Sequence, residues 1–420
     1  MPHGDAHAAP VQRIGAARPE QDRVDAEPGG VDAAATGPMT FVVGKDTTSY
    51  FQPLLDRWNR AHPDDPVRML ELPEAADEQR AQLVANLQAG NDRFDILALD
   101  VIWTAEFAEA GWIVPLDRGM FPLHKFFPGA VATGMYKGRL YAVPYSTNAG
   151  LLYYRTDILD AEGLEPPKTW AQLREQASRL GRKHGLGGYA GQFLPYEGLT
   201  VNYLEAVRSA GGELFNADGT EVKVDGAAER ALDFLIGGVR EGWIPQEALS
   251  YKEEESRLAF QEGRFVFARN WPHAYGPATH SPVKGRFAVA PLPGADGTGA
   301  SIIGGYNLAI NASSRRQKSA LEFIRYFTGP DIQRLVLTEG SFAPVWAELY
   351  DDPELIKEYP YLPVLKEAIL RARPRPVHAN YNQMSLVIAS NVSDALAFRR
   401  SGAETITRLR EQLLETTRSP

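Results

Sequence analysis

Asp46 and Asp100 each follow an apolar run, and Glu253-Glu254-Glu255 forms an acidic triplet. Two carboxylates facing each other can act as general acid and base on a glycosidic bond. They can equally accept hydrogen bonds from hydroxyl groups, and charged acceptors make the stronger bonds. Spacing alone does not separate the two uses. The glutamate triplet also suits a solvated helix start, where the helix dipole favours negative charge. Trp103, Trp271 and Tyr306 each adjoin the end of a β-like run. A sugar presents apolar C–H faces and many hydroxyls, so its site needs flat rings for the first and carboxylates, amides or guanidinium groups for the second. A single tryptophan is more often a core residue. Three rings at strand ends, each close to Asp, Asn or Gly, point together to ligand contact.

Other chemistries find no support. There is no cysteine, which removes disulfides, thiolate metal sites and a cysteine nucleophile. The chain has no Walker A sequence, no HExxH and no GxSxG. Gly185-Leu186-Gly187-Gly188-Tyr189-Ala190 matches a dinucleotide-binding pattern, but it follows a helical stretch rather than a strand and reads as a loop. Asp218-Gly219 and Asp296-Gly297 are turns rather than calcium loops. The eight histidines do not cluster: His3 and His7 lie near the start, and His273 and His280 have no acidic neighbour close in sequence. No metal or cofactor is expected.

The elements that would carry these residues follow from patterning. Met39 to Val43 reads as a buried strand, and Thr47-Thr48-Ser49 can cap a helix bearing Phe51, Leu54, Leu55 and Trp58 at helical spacing. Val67 to Leu72 and Phe94 to Leu99 read as further strands, with a helix from Asp77 to Ala89 between them. Alternating strands and helices predict a parallel α/β sheet, whose ligands sit beyond the carboxyl ends of its strands. Asp46 and Asp100 fall there. Beyond Gly138, Leu140 to Pro144 and Leu151 to Tyr154 are β-rich runs joined by Tyr145 to Gly150, and Thr169 caps a helix starting at Trp170. Helices are expected over 198–211, 226–241, 253–262 and 316–328, and strands over 265–268, 287–291 and 301–310. The stretch 353–415 is mostly helical, broken at Arg373-Pro374-Arg375-Pro376.

With 420 residues the chain suits two to three domain-sized units. A net charge of -9 and no basic block exclude nucleic acid and anionic membrane surfaces as partners. Residues 1–38 are rich in Ala, Gly, Pro and charge, with no apolar segment, and read as a disordered tail rather than a signal peptide.

Several stretches together resemble family 1 extracellular solute-binding proteins. They are Asn91-Asp92-Arg93-Phe94-Asp95 through Asp100 to Ala108; Gly138-Arg139-Leu140-Tyr141-Ala142-Val143-Pro144 with Leu151 to Arg155; Ala259-Phe260-Gln261-Glu262-Gly263 leading to Asn270-Trp271-Pro272; Gly304-Gly305-Tyr306-Asn307-Leu308; and Ala372-Arg373-Pro374. The resemblance covers about 40 to 415 and comes nearest to the trehalose- and maltose-binding proteins of ATP-driven (ABC) importers. It implies a type II periplasmic-binding-protein fold. Two α/β lobes, 39–147 plus 304–345 and 148–303 plus 346–420, would be joined by a hinge crossed near 147, 303 and 345. It also implies a monomeric, non-catalytic protein that binds a disaccharide between the lobes and delivers it to the transmembrane subunits of an ABC permease. Such a protein is extracytoplasmic and membrane-anchored in its native form, although neither a signal segment nor a lipobox cysteine stands in this sequence. Carried over by motif, Asp46, Arg80 and Asp100 would line the first lobe. Asn148, Glu253 or Glu254, Trp271, Gly305, Tyr306 and Arg373 would complete the shell, Gly305 letting the backbone approach the sugar. Asn148 stands where many relatives have Asp, His273 where an aromatic is common, Trp346 where a basic residue is common, and His378 and Asn380 where Tyr is frequent. A glycoside hydrolase using a cleft carboxylate pair is the alternative reading.

Overall fold

A computed structural model describes residues 30–32, 35–46, 49–73, 75–340 and 342–418. Eleven strands are found among them: β1 (Met39–Val43), β2 (Val67–Glu71), β3 (Ile96–Asp100), β4 (Met135–Tyr136), β5 (Arg139–Leu140), β6 (Val143–Asn148), β7 (Leu151–Arg155), β8 (Gly187–Ala190), β9 (Phe265–Asn270), β10 (Phe287–Ala290) and β11 (Gly304–Ile310). They build two main sheets. The first has the order β2-β1-β3-β11-β6 and the second β10-β7-β9-β8, while β4 and β5 pair as a short hairpin.

In the first sheet β1 pairs in parallel with β2 and β3, as the alternation of strands and helices predicts. β11 then adds antiparallel to β3, and β6 antiparallel to β11. Every residue of β1 is buried, because helices cover both faces of a central strand. The helices Phe51–Ala61 and Gln317–Phe327 cover one face, where Phe41, Phe51, Phe323 and Phe327 pack ring against ring. The second sheet is flanked by the helices Trp170–His184 and Glu253–Gln261, with Glu197–Ser209, Gly226–Glu241, Tyr381–Leu396 and Gly402–Arg418 packed beside one another. Thr169 caps the first of these by accepting from Gln172 N–H, as its sequence position suggests.

The chain leaves the first sheet at the end of β6, turns through Ala149-Gly150 and enters β7 of the second. It returns between β10 and β11. A third passage follows Ala343, whose carbonyl accepts from Thr147 N–H at 3.0 Å. Beyond it the segment 346–361 touches both halves: Trp346 Nε1–H donates to the Thr328 carbonyl at 2.8 Å, and the ring of Tyr361 lies 4.2 Å from that of Tyr275.

Four details differ from the sequence expectations. Tyr145 to Asn148 is strand rather than connection, with only Ala149-Gly150 left as the turn. Gly185-Leu186-Gly187-Gly188-Tyr189-Ala190 is a helix C-cap, with Gly185 at φ 65°, running into β8 rather than a loop. Its helix-then-strand order is the reverse of a dinucleotide motif. At the start of the Phe51 helix the Asp46 carboxylate accepts from Phe51 N–H at 3.0 Å. The N-cap residue is Tyr50, which makes no side-chain cap bond, and Thr47 and Thr48 lie outside the described residues, as do 1–29, 33 and 34 of the expected tail. The rest of that tail is docked: Asp32 N–H donates to Gln317 Oε1 at 2.9 Å, and Gly37 N–H to Asp65 Oδ1 at 2.7 Å. Among the described residues no helix is long and apolar enough to cross a membrane.

Candidate ligand-binding site

The site grows from the strand ends of the first sheet. Asp100 closes β3, and Tyr306 of β11 stands directly opposite it, with Ser146 of β6 on the other side of Tyr306. Two residues earlier on β11, Gly304 faces Asn148. Gly304 has no side chain, and the space is taken from both sides. A Cβ there would lie 2.3 Å from Asn148 Oδ1 and 2.9 Å from the indole of Trp271. Trp271 follows β9 of the second sheet and is held by the Tyr153 hydroxyl, which donates to its carbonyl at 2.8 Å. Asp100, Tyr306, Asn148 and Trp271 are thus gathered from four strands of two sheets.

Arg375 brings the charges together. One of its guanidinium nitrogens lies 3.6 Å from Asp100, and another donates to Glu197 at 2.6 Å. The nitrogen that faces Asp100 donates to the Ile303 carbonyl at 3.2 Å, at the passage between the sheets. Glu197 also accepts from the Tyr381 hydroxyl at 2.8 Å and from Ser385 Oγ. Burial pushes the Asp100 and Glu197 carboxyls up, and the Arg375 cation pulls both back. Burial would lower the Arg375 guanidinium, but the two carboxylates raise it instead. Glu253 faces the same place: its charge helps raise Asp100 and the Tyr306 phenol, after the larger effect of burial. Its carboxylate accepts from the Tyr196 hydroxyl at 2.6 Å. Ser146 Oγ, Thr147 Oγ1, Asn148 Oδ1, Tyr50 Oη and Arg375 Nε are buried without a hydrogen-bond partner. Such groups are costly unless something satisfies them; nine are found among the described residues, and four of these lie on β6 or beside Asp100.

The residues singled out from sequence therefore divide. Asp100, Asn148, Glu253, Trp271 and Tyr306 meet. Asp46 lies near, close enough to raise the Tyr50 and Tyr145 phenols after burial, but its carboxylate accepts from Phe51 N–H. Arg80 is bound in a fork to Glu106, with Nε at 2.8 Å, and is committed there. Trp103 is a core residue: it is 2% exposed and packs with Leu83, Leu87 and Phe107, because it heads the helix Thr104–Glu109 and turns inward. Gly305 is spoken for within the sheet by its neighbour on β6. At φ 125° it makes room for the Ser146 carbonyl, 2.1 Å from where a Cβ would be. Arg373 is exposed and pairs through its backbone with Ile302. Arg375, two residues on, is the guanidinium that lies beside Asp100 and Glu197. Glu197, Tyr196 and Tyr381 carried no sequence signal, since each sits at a helix start with no distinguishing pattern.

Glu254 is engaged by other partners, Arg257 and His273. His273, 3.8 Å away, and Arg257, bonded at 3.0 Å, hold its carboxyl down to about 2. A carboxyl lowered on folding stabilises above its unfolded value and loses that contribution as pH falls through the folded one. Urea unfolding from pH 5 to pH 2 should therefore show wild type losing stability more steeply than Glu254→Gln. Parallel curves would contradict the pairing.

Among the described residues no group of three His, Asp or Glu is placed to hold a metal ion. A cavity of about 430 Å³ lined by Arg155, Asp157, His184, Glu262 and Arg286, among others, shares no residue with the site.

Comparison with known proteins adds the following. Residues 44–334 match the model of a family described as bacterial extracellular solute-binding protein. A probable ABC transporter-binding protein of Deinococcus radiodurans is 32% identical over 360 residues, 83% of this chain and 86% of that protein. A maltotriose-binding protein of Pyrococcus abyssi is 27% identical over 78% of this chain and 70% of its own length. The maltose-bound structure of T. maritima MalE3 superposes with a TM-score of 0.84 at 33% identity, covering 90% of this chain and 98% of that one.

Proposed function

This chain belongs to the bacterial extracellular solute-binding proteins of ABC transporters, and from that premise we propose that it is the sugar-binding subunit of an importer, holding a disaccharide of maltose or trehalose type between its two halves. The observation that carries the reading is the convergence of Asp100 and Tyr306 from the first sheet with Arg375, Glu253 and Trp271 from the second half. Carboxylates and a guanidinium fork suit hydroxyls, the indole suits a C–H face, and the unpartnered polar atoms of β6 suit further hydroxyls or bridging water. The similarity to a maltose-bound structure and to a maltotriose-binding protein favours a glucose-based sugar.

The lobes are 39–147 plus 304–345 and 148–303 plus 346–420. In the open form they separate at the three passages, and the sugar stabilises the closed form by touching both. The closed protein is what the transmembrane permease recognises. The binding protein works outside the cytoplasm as a monomer, tethered to the membrane in its native form, and catalyses nothing.

Calorimetric titration with maltose, trehalose, maltotriose and mannitol tests the reading. One or more of the glucosides should bind saturably and be recovered unchanged. Binding of none, or hydrolysis of the bound sugar, would overturn it, and hydrolysis would favour a glycosidase. Trp271→Ala and Asp100→Ala should each weaken the binding by about 1–3 kcal/mol while leaving the chain folded. Unchanged affinity in either variant would remove that residue from the site.

A further inference from the structure

We propose that the buried Glu205–Arg269 pair is a positioning device of the site: it fixes the indole of Trp271 from behind and ties it to the two chain passages at Gly150 and Ser301. The inference rests on the reading of Trp271 as a sugar-contacting ring.

Arg269 lies on β9 and Trp271 two residues on, just past the strand's end in still-extended backbone, which brings the two side chains to the same side. The centre of its guanidinium lies 3.9 Å from the centroid of the indole, a cation–π contact at close range. The guanidinium cannot swing. Glu205, on the helix Glu197–Ser209, accepts from Nε at 2.7 Å and from a terminal nitrogen at 2.6 Å, and Gln192 Oε1 accepts from the other at 3.0 Å. The side chains of Arg269 and Glu205 are 1% and 4% exposed.

The chain of bonds continues into the passages between the sheets. Ser301 Oγ–H donates to Glu205 Oε1 at 2.6 Å and accepts from Gly150 N–H at 2.7 Å. A Cβ at Gly150 would lie 2.5 Å from both Arg269 and Glu205, so the passage comes this close only as glycine. One carboxylate thus holds the segment before β11, the turn after β6 and the cation under Trp271. A buried ion pair adds little stability over an apolar filling of equal volume. What this one supplies is a single orientation of the ring, set before the sugar arrives, which spares the cost of ordering it on binding.

A double-mutant cycle in the full chain tests the proposal, with maltose and trehalose as probes. Glu205→Gln combined with Arg269→Met removes the pair without leaving a lone buried charge, and Arg269→Lys keeps the charge but loses the fork. With Trp271 present, both should weaken sugar binding, the first by about tenfold. In a Trp271→Ala background neither should change affinity by more than about twofold. Equal losses in the two backgrounds, or none with Trp271 present, would overturn the proposal. Acrylamide quenching reads the same point without sugar. The emission lost on Trp271→Phe should be more quenchable in the Arg269→Lys chain than in wild type, and equal quenching would count against the device. If wild type binds neither sugar, the functional reading fails, and quenching alone decides the positioning role.

Discussion

Replacing Arg375 by methionine is expected to weaken sugar binding by at least about a hundredfold and to destabilise the fold by about 3–5 kcal/mol at neutral pH. The size follows from what the substitution leaves behind. Asp100 and Glu197 share this cation and are both buried, and their carboxyls already stand above the usual range in its presence. Without it both rise further. A carboxyl raised on folding costs stability at pH values above its folded value, and the cost vanishes as pH falls toward its unfolded one. Arg375→Met should therefore recover stability relative to wild type as pH is lowered from 8 to 5, the reverse of ordinary acid destabilisation. Urea unfolding at several pH values, with calorimetry for the sugar, reads both effects. A variant with wild-type stability and affinity would place the cation outside the site.

Gly305→Ala should cost about 4 kcal/mol or more of fold stability. The new Cβ would stand 2.1 Å from the Ser146 carbonyl oxygen and 2.9 Å from Thr147 Cα, both backbone atoms that cannot rotate away. The φ of 125° adds strain for any residue with a side chain. Alanine at the neighbouring Gly304 meets the side chains of Asn148 and Trp271 instead. Its effect should fall mainly on sugar affinity. Denaturation midpoints and calorimetry on the two variants separate the cases, and an unchanged midpoint for Gly305→Ala would refute the argument from geometry.

The strands that carry the site were legible where they are wholly buried. β3 and β9 are apolar runs that close in polar residues, Asp100 and Arg269-Asn270, and β1 is apolar except for Thr40; runs of that kind have few other uses. Asp100 and Trp271 were legible for the same reason, as the residues at or just beyond those ends. β6 was not, because the polar residues Ser146, Thr147 and Asn148 hide a strand inside a polar stretch. β8 was missed because Gly187 and Gly188 suggest a loop. They are glycines because Phe265 and the Trp243 and Ala177 carbonyls press against them. Trp103 misled by adjacency: standing near a strand end says nothing about the direction of a side chain, and this one turns into the core. Between Arg373 and Arg375 local sequence offers no choice, since each precedes a proline. Only the packing of the segment against Ile303 and Glu197 decides which guanidinium goes inside.

The most direct test is a crystal structure of the protein with maltose or trehalose bound, whichever calorimetry finds tighter. The expected result is a sugar ring on the face of Trp271 with hydroxyls on Asp100, Glu253 and Arg375, so that both halves touch one ligand. A sugar seated elsewhere, for example in the cavity lined by Arg155, His184 and Arg286, with Asp100 and Trp271 untouched, would contradict it.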